Sequence, residues 1–432
     1  MLCTDVIPDQ METILKKIKS IIPRSIFSFV QPVYHYLLAF WGAVRYGFPS
    51  RSIYVVGVTG TKGKTTTSEL VAAILEEAGF RVALANTNQF KLAEQVEKNL
   101  TKRSMLGRTR LQQFLRKAVD AGCTYAVIEM TSEGAKQFRH KFLDLNALIF
   151  TNLSPEHIES HGSYENYVDA KVSLARALEL GNSAQHAIVA NTDDVESEKF
   201  LAVNAGIKLP YRLDDARPFT TSTSGSEINW HGQPIKLQIP GEFNILNVLG
   251  AATFAESRGV KVAVIKSALE KFSLVRGRME KIDQGQNFSV IVDYAHTADS
   301  LDRAYGVYNG VKKICILGGT GGGRDIAKRK VMGEVADKHC EHIILTTEDP
   351  YDEDPKDIAN DVASGITNHS HEFILDRREA MLKAFQIAKK GWVVFMTGKG
   401  AGPYIMGPKG LRTPWDDATV AREELAKVVS KK

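Results

Sequence analysis

A run of β-branched and aromatic residues at 54–58 ends in the stretch GVTGTKGKTTT at 57–67, and apolar residues then recur at helical spacing over 65–78. Strand, loop and helix in that order constrain the chain more than anything else in it, because a glycine-rich turn at a helix start aims backbone amides at an anion. Gly60 and Gly63 stand where backbone must come close to a phosphate, with Thr61 and Thr66 beside them. Lys64 stands where an ammonium reaches terminal phosphates, and Thr65 where a hydroxyl holds magnesium. The spacing departs from G-x-x-x-x-G-K-[ST], since the loop's first glycine is Gly60. A turn that binds nothing is the weaker reading, because strand, loop, lysine and helix coincide.

Further short apolar runs at 82–85, 125–130, 147–151 and 187–190, with helical stretches between them, predict a parallel sheet covered on both faces. From 209 to 239 polar and apolar residues alternate among Ser, Thr, Gly and Pro, which predicts antiparallel strands at a domain edge, and 244–259 reads as a helix. A second α/β series starts near Arg276, with strands expected at 290–292, 313–317, 342–346 and 393–396. The fold class is therefore α/β, divided as a short helical segment at 1–50, a central domain at 51–275 and a C-terminal domain at 276–432.

With 432 residues, 44% of them hydrophobic, the chain can bury more than one core. An excess of five cations (55 Lys and Arg against 50 Asp and Glu) is too small to mark a nucleic-acid binder. Cys3, Cys123, Cys315 and Cys340 lack the close spacing of a zinc site or a disulfide scaffold, so a reducing, cytoplasmic setting is expected. Residues 25–48 are rich in Phe, Leu, Val, Tyr and Trp and follow Lys16, Lys17, Lys19 and Arg24, yet Gln31, Pro32, His35 and Arg45 interrupt them. A bilayer span is disfavoured; a helix packed on the following domain is preferred, with peripheral membrane contact as the next reading.

Glu129 ends the strand expected at 125–130, where a hard cation bridging nucleotide phosphates is often held. Downstream, TNLSPEHIESHG at 151–162 leads to Lys171, followed by NTDD at 191–194, GEFNILN at 241–247, GRME at 277–280, DYAH at 293–296 and the glycine-rich block 318–330. Together with GTKGKT these blocks closely resemble those of the Mur ligase family, from about residue 53 to the C-terminus, and within it the MurE branch that adds the third stem-peptide residue. The resemblance implies a central P-loop ATPase domain and a Rossmann-like C-terminal domain. It also implies ATP-dependent amide ligation of an amino acid to a muramoyl-peptide precursor, through an acyl phosphate, by a cytoplasmic monomer. By the same resemblance, His157 and Glu129 bind two magnesium ions with Thr65, and Lys171 becomes carbamylated. Asn247 and Arg278 hold the nucleotide, Asp293 and His296 lie near its base and ribose, and Arg324 and Lys328 supply positive charge.

Some blocks depart from that branch. Its uridine-gripping N-terminal domain has no counterpart in the helical-looking residues 1–50, so a lipid-linked acceptor enters as a reading. The D-N-P-R pattern of diaminopimelate-adding members is Glu348, Asp349, Pro350 and Tyr351, which suits a cationic side chain such as lysine's better than a distal carboxylate. Thr131 and Ser132 stand where substrate is expected after Glu129, with Glu133 replacing the histidine of S-S-H, and G-K-G-H-E reads GKGAG at 398–402. Two other readings stay beside the first: a folylpolyglutamate-synthase-like amide ligase, and a nucleotide-binding regulatory protein without catalysis.

Overall fold

A computed structural model of the protein describes residues 24–156, 158–180, 183–273, 275–323 and 326–430, with side chains set aside at 24–30 and 183. The described residues form two compact units: one holds those of 24–218, 228–235 and 243–271, the other those of 219–227, 236–242 and 272–430.

In the first unit β1 (Tyr54–Thr59), β2 (Val82–Ala85), β3 (Gln89–Leu92), β4 (Gln95–Lys98), β5 (Tyr125–Glu129), β6 (Leu145–Phe150), β7 (Ala187–Asn191) and β8 (Ile207–Tyr211) form one sheet in the order β4-β3-β2-β5-β1-β6-β7-β8. The strands from β2 to β8 across that order run parallel, and β3 and β4 add antiparallel to β2. All residues of β2, β5 and β7 are buried, and since successive side chains point to opposite faces, both faces are covered there. The chain moves outward from β1 in one direction to β2 and in the other to β6, β7 and β8, so the end of β1 lies at the switch point where open α/β sheets bind ligands.

Five helices of this unit matter below: α1 (Arg24–Arg45), α2 (Lys64–Glu77), α3 (Arg108–Asp120), α4 (Ser132–Lys136) and α5 (Tyr164–Ala175). A sixth, α6 (Glu242–Ser257), is cut from a sequence with ten buried residues and no polar face, so it is a core helix and not an amphipathic surface one. The expected antiparallel run from 209 is corrected at its start. Residues 207–211 form β8, parallel to β7, because alternate residues of this edge strand are exposed and mimic an antiparallel pattern. The antiparallel part begins later, with β9 (Thr220–Ser222), β10 (Gly225–Trp230) and β11 (Gln233–Leu237).

The second unit carries a six-stranded sheet of β12 (Glu280–Ile282), β13 (Ser289–Val292), β14 (Lys313–Leu317), β15 (His342–Leu345), β16 (Ser370–Phe373) and β17 (Val393–Met396), in the order β12-β13-β17-β14-β15-β16. Only β12 is antiparallel to its neighbour. Its core packs Val290, Ile314, Ile344 and Met396 against Met381, Phe385, Ala421 and Leu425. One expectation fails here. Cys315 on β14 and Cys340, just past the helix Ile326–His339, form a disulfide, although 25 residues separate them in sequence. Parallel β14 and β15 joined by that helix bring the two sulfurs together, a pairing that spacing along the chain does not reveal. Cys123 is free and buried.

Candidate active site

The loop after β1 is held by backbone that tolerates no side chain at two positions. A Cβ on Gly60 (φ +148) would lie 2.0 Å from Thr151 Oγ1, and one on Gly63 (φ +83) 2.2 Å from Asn247 Oδ1. Residues just past β6 stitch the loop down. The Thr61 amide donates to the Asn152 carbonyl at 2.7 Å, the Lys62 amide to Asn152 Oδ1 at 3.0 Å, and Thr151 Oγ1 to the Lys62 carbonyl at 2.6 Å. Thr61 Oγ1 also meets the Tyr167 hydroxyl at 2.9 Å, tying the loop to α5. Thr66, in the first turn of α2, is buried, and Thr67 Oγ1 donates to Asn247 Oδ1 at 3.2 Å, so α6 closes the loop from the other side.

Two lysine amines converge here. Lys64 Nζ donates to the carbonyls of Gly60 and Thr61 at 3.0 and 2.9 Å, while Lys171 Nζ, from α5, reaches the same Gly60 carbonyl at 2.6 Å. Lys171 is 2% exposed. Burial first, and the Lys64 charge second, hold its amine well below the ordinary ammonium range.

Beside them Glu129, at the end of β5, is buried and accepts from Thr65 Oγ1 at 3.0 Å, from the Thr87 amide at 3.0 Å and from Thr87 Oγ1 at 2.9 Å, all on Oε2. His157 lies outside the described residues. Among the described residues no three His, Cys, Asp or Glu side chains form a metal cage. A hydroxyl and a single carboxylate oxygen at a phosphate loop nevertheless suit magnesium, which keeps waters and takes its remaining ligands from the nucleotide.

Thr131 and Ser132 have local partners. Thr131 Oγ1 caps α4 by accepting from the Gly134 amide at 3.0 Å, and Ser132 Oγ lies 3.1 Å from His161 Nε2, a buried imidazole.

The remaining candidates belong to the second unit. Asp293 ends β13, and its oxygens accept from the Met279 and Ala295 amides, each at 2.7 Å, so it braces the turn that carries Arg278. Burial raises the Asp293 carboxyl, with the Arg278 charge pulling the other way. The Arg278 guanidinium sits 4.6 Å over the Tyr294 ring, and His296 Nδ1 donates to the Tyr294 carbonyl at 2.8 Å. Arg278, Asp293 and His296 therefore share one corner.

Glu348 and Asp349 follow β15 but differ in state. Asp349 Oδ1 accepts from Lys399 Nζ and the Met406 amide, both at 2.8 Å, so its charge is met within the chain. Glu348 Oε1 accepts from Thr320 Oγ1 at 3.0 Å, whereas Oε2 is buried without a hydrogen-bond partner among the described residues, beside Gly398. Tyr351 (φ +53) donates its amide to the Met406 carbonyl at 3.0 Å. Lys328 is half-buried on the helix Ile326–His339, and Arg324 lies outside the described residues. The buried cation of this block is Arg329, held by Glu353 and Asp361 at 2.7 and 2.8 Å.

Sequence reasoning missed Thr87, Tyr167 and Asn152 as partners of the loop and of Glu129. Asn152 and Tyr167 lie within blocks already singled out; Thr87 had one signal, its place just past β2, whose neighbour in the sheet is β5.

The chain is similar to known proteins over most of its length. Residues 58–255 match the Mur ligase middle domain, and residues 277–400 match "Mur ligase, glutamate ligase domain". A UDP-N-acetylmuramyl-tripeptide synthetase of Roseiflexus sp. (strain RS-1) is 35% identical over 424 residues, spanning 90% of this chain and 82% of that protein. A UDP-N-acetylmuramoyl-L-alanyl-D-glutamate-2,6-diaminopimelate ligase of Syntrophomonas wolfei is also 35% identical, over 90% of this chain and 81% of its own length. Among solved structures, a ligase of that same diaminopimelate description aligns with a TM-score of 0.59 at 28% identity, over 87% of this chain and 79% of its own. Mycobacterium tuberculosis folylpolyglutamate synthase aligns with a TM-score of 0.67 at 14% identity, over 92% and 95%, a likeness of fold alone.

Proposed function

We propose, since the chain belongs to the Mur ligase family, that it joins an amino acid to the carboxylate of a muramoyl-peptide precursor of peptidoglycan at the expense of ATP. The acceptor carboxylate oxygen takes the γ-phosphoryl group, releasing ADP and forming an acyl phosphate. The incoming amine then bonds to the carbonyl carbon, the C–O bond to phosphate breaks, inorganic phosphate leaves and the amine loses a proton. The observation that carries this reading is the meeting of Lys64, Lys171 and the Thr65–Glu129 pair at one glycine loop. The Lys64 charge offsets the charge that grows on the transferred phosphoryl group.

Magnesium, when bound, neutralises phosphate charge. In our reading Thr65, Glu129 and His157 serve two such ions. A buried, neutral Lys171 amine is the form that adds carbon dioxide, and the resulting carbamate supplies an oxygen where an ammonium would repel metal. Asn247 and Arg278 hold the nucleotide, with Asp293, His296, Arg324 and Lys328 around it. Catalysis is assigned to domains at 51–275 and 276–432 of a cytoplasmic monomer. The open oxygen of buried Glu348 favours an incoming amino acid with a cationic side chain, lysine being the simplest.

The deciding measurement is phosphate release from ATP. We expect release with UDP-muramoyl dipeptide plus a basic amino acid and none with folate plus glutamate; release with folate alone replaces the cell-wall reading. Incorporation of ¹³C-bicarbonate at Lys171, read as a carbamate carbon signal lost in Lys171→Met, tests the modification separately.

A further inference from the structure

Over residues 33–44 the face that α1 turns to solvent is apolar. Val33, Tyr34, Leu37, Phe40, Trp41 and Val44 are each 45–57% exposed, while Ala39, Gly42 and Ala43 are buried beneath them. Positions 33, 37, 40, 41 and 44 make one stripe at helical spacing, on the side where a surface helix ordinarily carries charge. The inner face is already well seated. Gly42 lies so close to α3 that a Cβ there would sit 3.0 Å from Thr109 Cα, and the rings of Tyr36 and Phe40 pack on Phe142 at 5.0 and 5.3 Å. Among the described residues no helix is long and apolar enough to cross a membrane.

Charge selects what covers the stripe. Between Glu12 and Glu69 the chain has no Asp or Glu; Lys16, Lys17, Lys19, Arg24, Arg45 and Arg51 flank the stripe, Arg51 with Asp144 at 3.6 Å, and Lys62 and Lys64 belong to the loop. A second copy laid on the stripe would bring two predominantly cationic segments together, whereas a surface of anionic headgroups supplies the missing sign. Tyr34 and Trp41 are also the ring types that settle at the level of lipid headgroups.

We infer that α1 lies in the interface of an anionic phospholipid bilayer, its stripe among the upper acyl carbons and Arg45 and Arg51 toward the phosphates. This surface is separate from the ligation machinery and does not rest on the substrate assigned above. Anchored in this way, the loop at Gly60 works beside a membrane.

The test is cosedimentation of the full chain with vesicles of phosphatidylcholine alone or mixed with phosphatidylglycerol. Binding is expected to the mixed vesicles only, to weaken as salt is raised, and to fall at least about tenfold in Leu37→Glu and in Trp41→Glu, the loss expected when a charge replaces one inserted side chain. Both positions are exposed, so thermal midpoints and ATP turnover with soluble substrates stay at the parent values, which separates failure of this inference from failure of the ligase reading. The inference is overturned if the full chain ignores anionic vesicles, if both variants bind as the parent does, or if light scattering finds a dimer that Leu37→Glu dissolves and no vesicle binding.

Discussion

In the first unit two lysine amines, Lys64 and Lys171, point at one carbonyl, that of Gly60. In the second, buried cations are met by carboxylates: Arg377 by Asp417 at 2.7 Å with both side chains fully buried, and Arg329 by Glu353 and Asp361. In the first arrangement burial and the Lys64 charge push Lys171 away from its charged form, whereas in the second the carboxylates hold each guanidinium charged. The same contrast runs through adjacent residues, since Asp349 is matched by Lys399 whereas Glu348 keeps an oxygen open. A buried amine pushed toward its neutral form marks where chemistry is expected, and buried charge met by a carboxylate marks what holds the fold together.

Substitutions can break that distinction. The largest effect is expected from Arg377→Met, which strands the Asp417 carboxylate in a buried site and should cost the second unit about 3–5 kcal/mol; urea unfolding at parental stability would show that a matched pair is not scaffold. Next comes Lys64→Met, for which ATP turnover should fall by roughly 10²–10³-fold with no loss of stability, read by phosphate release beside a thermal melt. A destabilised Lys64→Met protein would put that lysine with the scaffold.

Gly63→Ala should cost about 1–3 kcal/mol and weaken nucleotide binding, because the methyl group meets Asn247 Oδ1 at a positive φ; calorimetric titration with ADP checks it. The smallest effect is a slope. Lys171 has its folded pKa depressed well below 10.5, so between that depressed value and 10.5 the unfolded chain binds one more proton and stability rises with pH. In buffer freed of carbon dioxide, Lys171→Met should flatten this rise by up to about 1.4 kcal/mol per pH unit, and an unchanged pH profile of unfolding would mean that Lys171 is not held neutral.

Much of this contrast was legible in the sequence where function and local pattern coincide. Fully buried strands read as unbroken apolar runs, so 82–85, 313–317 and 393–396 match β2, β14 and β17 residue for residue. Glycines and Lys64 announced the loop because a phosphate site forces those residue types. What stayed hidden came from contacts between distant segments. The hairpin of β3 and β4 is short and carries mixed polarity, so only the place of Thr87 just past β2 pointed to it beside Glu129. Tyr167 and Asn152 read as parts of a block, without the partners that give them a task. The disulfide pairs residues whose separation follows from a crossover helix, and the outward face of α1 shows only once its inner face is known, since an apolar helix reads alike whichever side is covered.

Asn247 lies 180 residues beyond Thr67, to which it is bonded, and the first unit recruits residues 243–271 only after the chain has passed through segments of the second. During synthesis the eight strands of the large sheet emerge by Tyr211, ahead of the side chain that closes over Gly63. A nascent chain arrested in between has the loop's glycines and both lysines but still lacks the side chain that packs over Gly63, so the loop takes its final packing only once the chain has returned to the first unit.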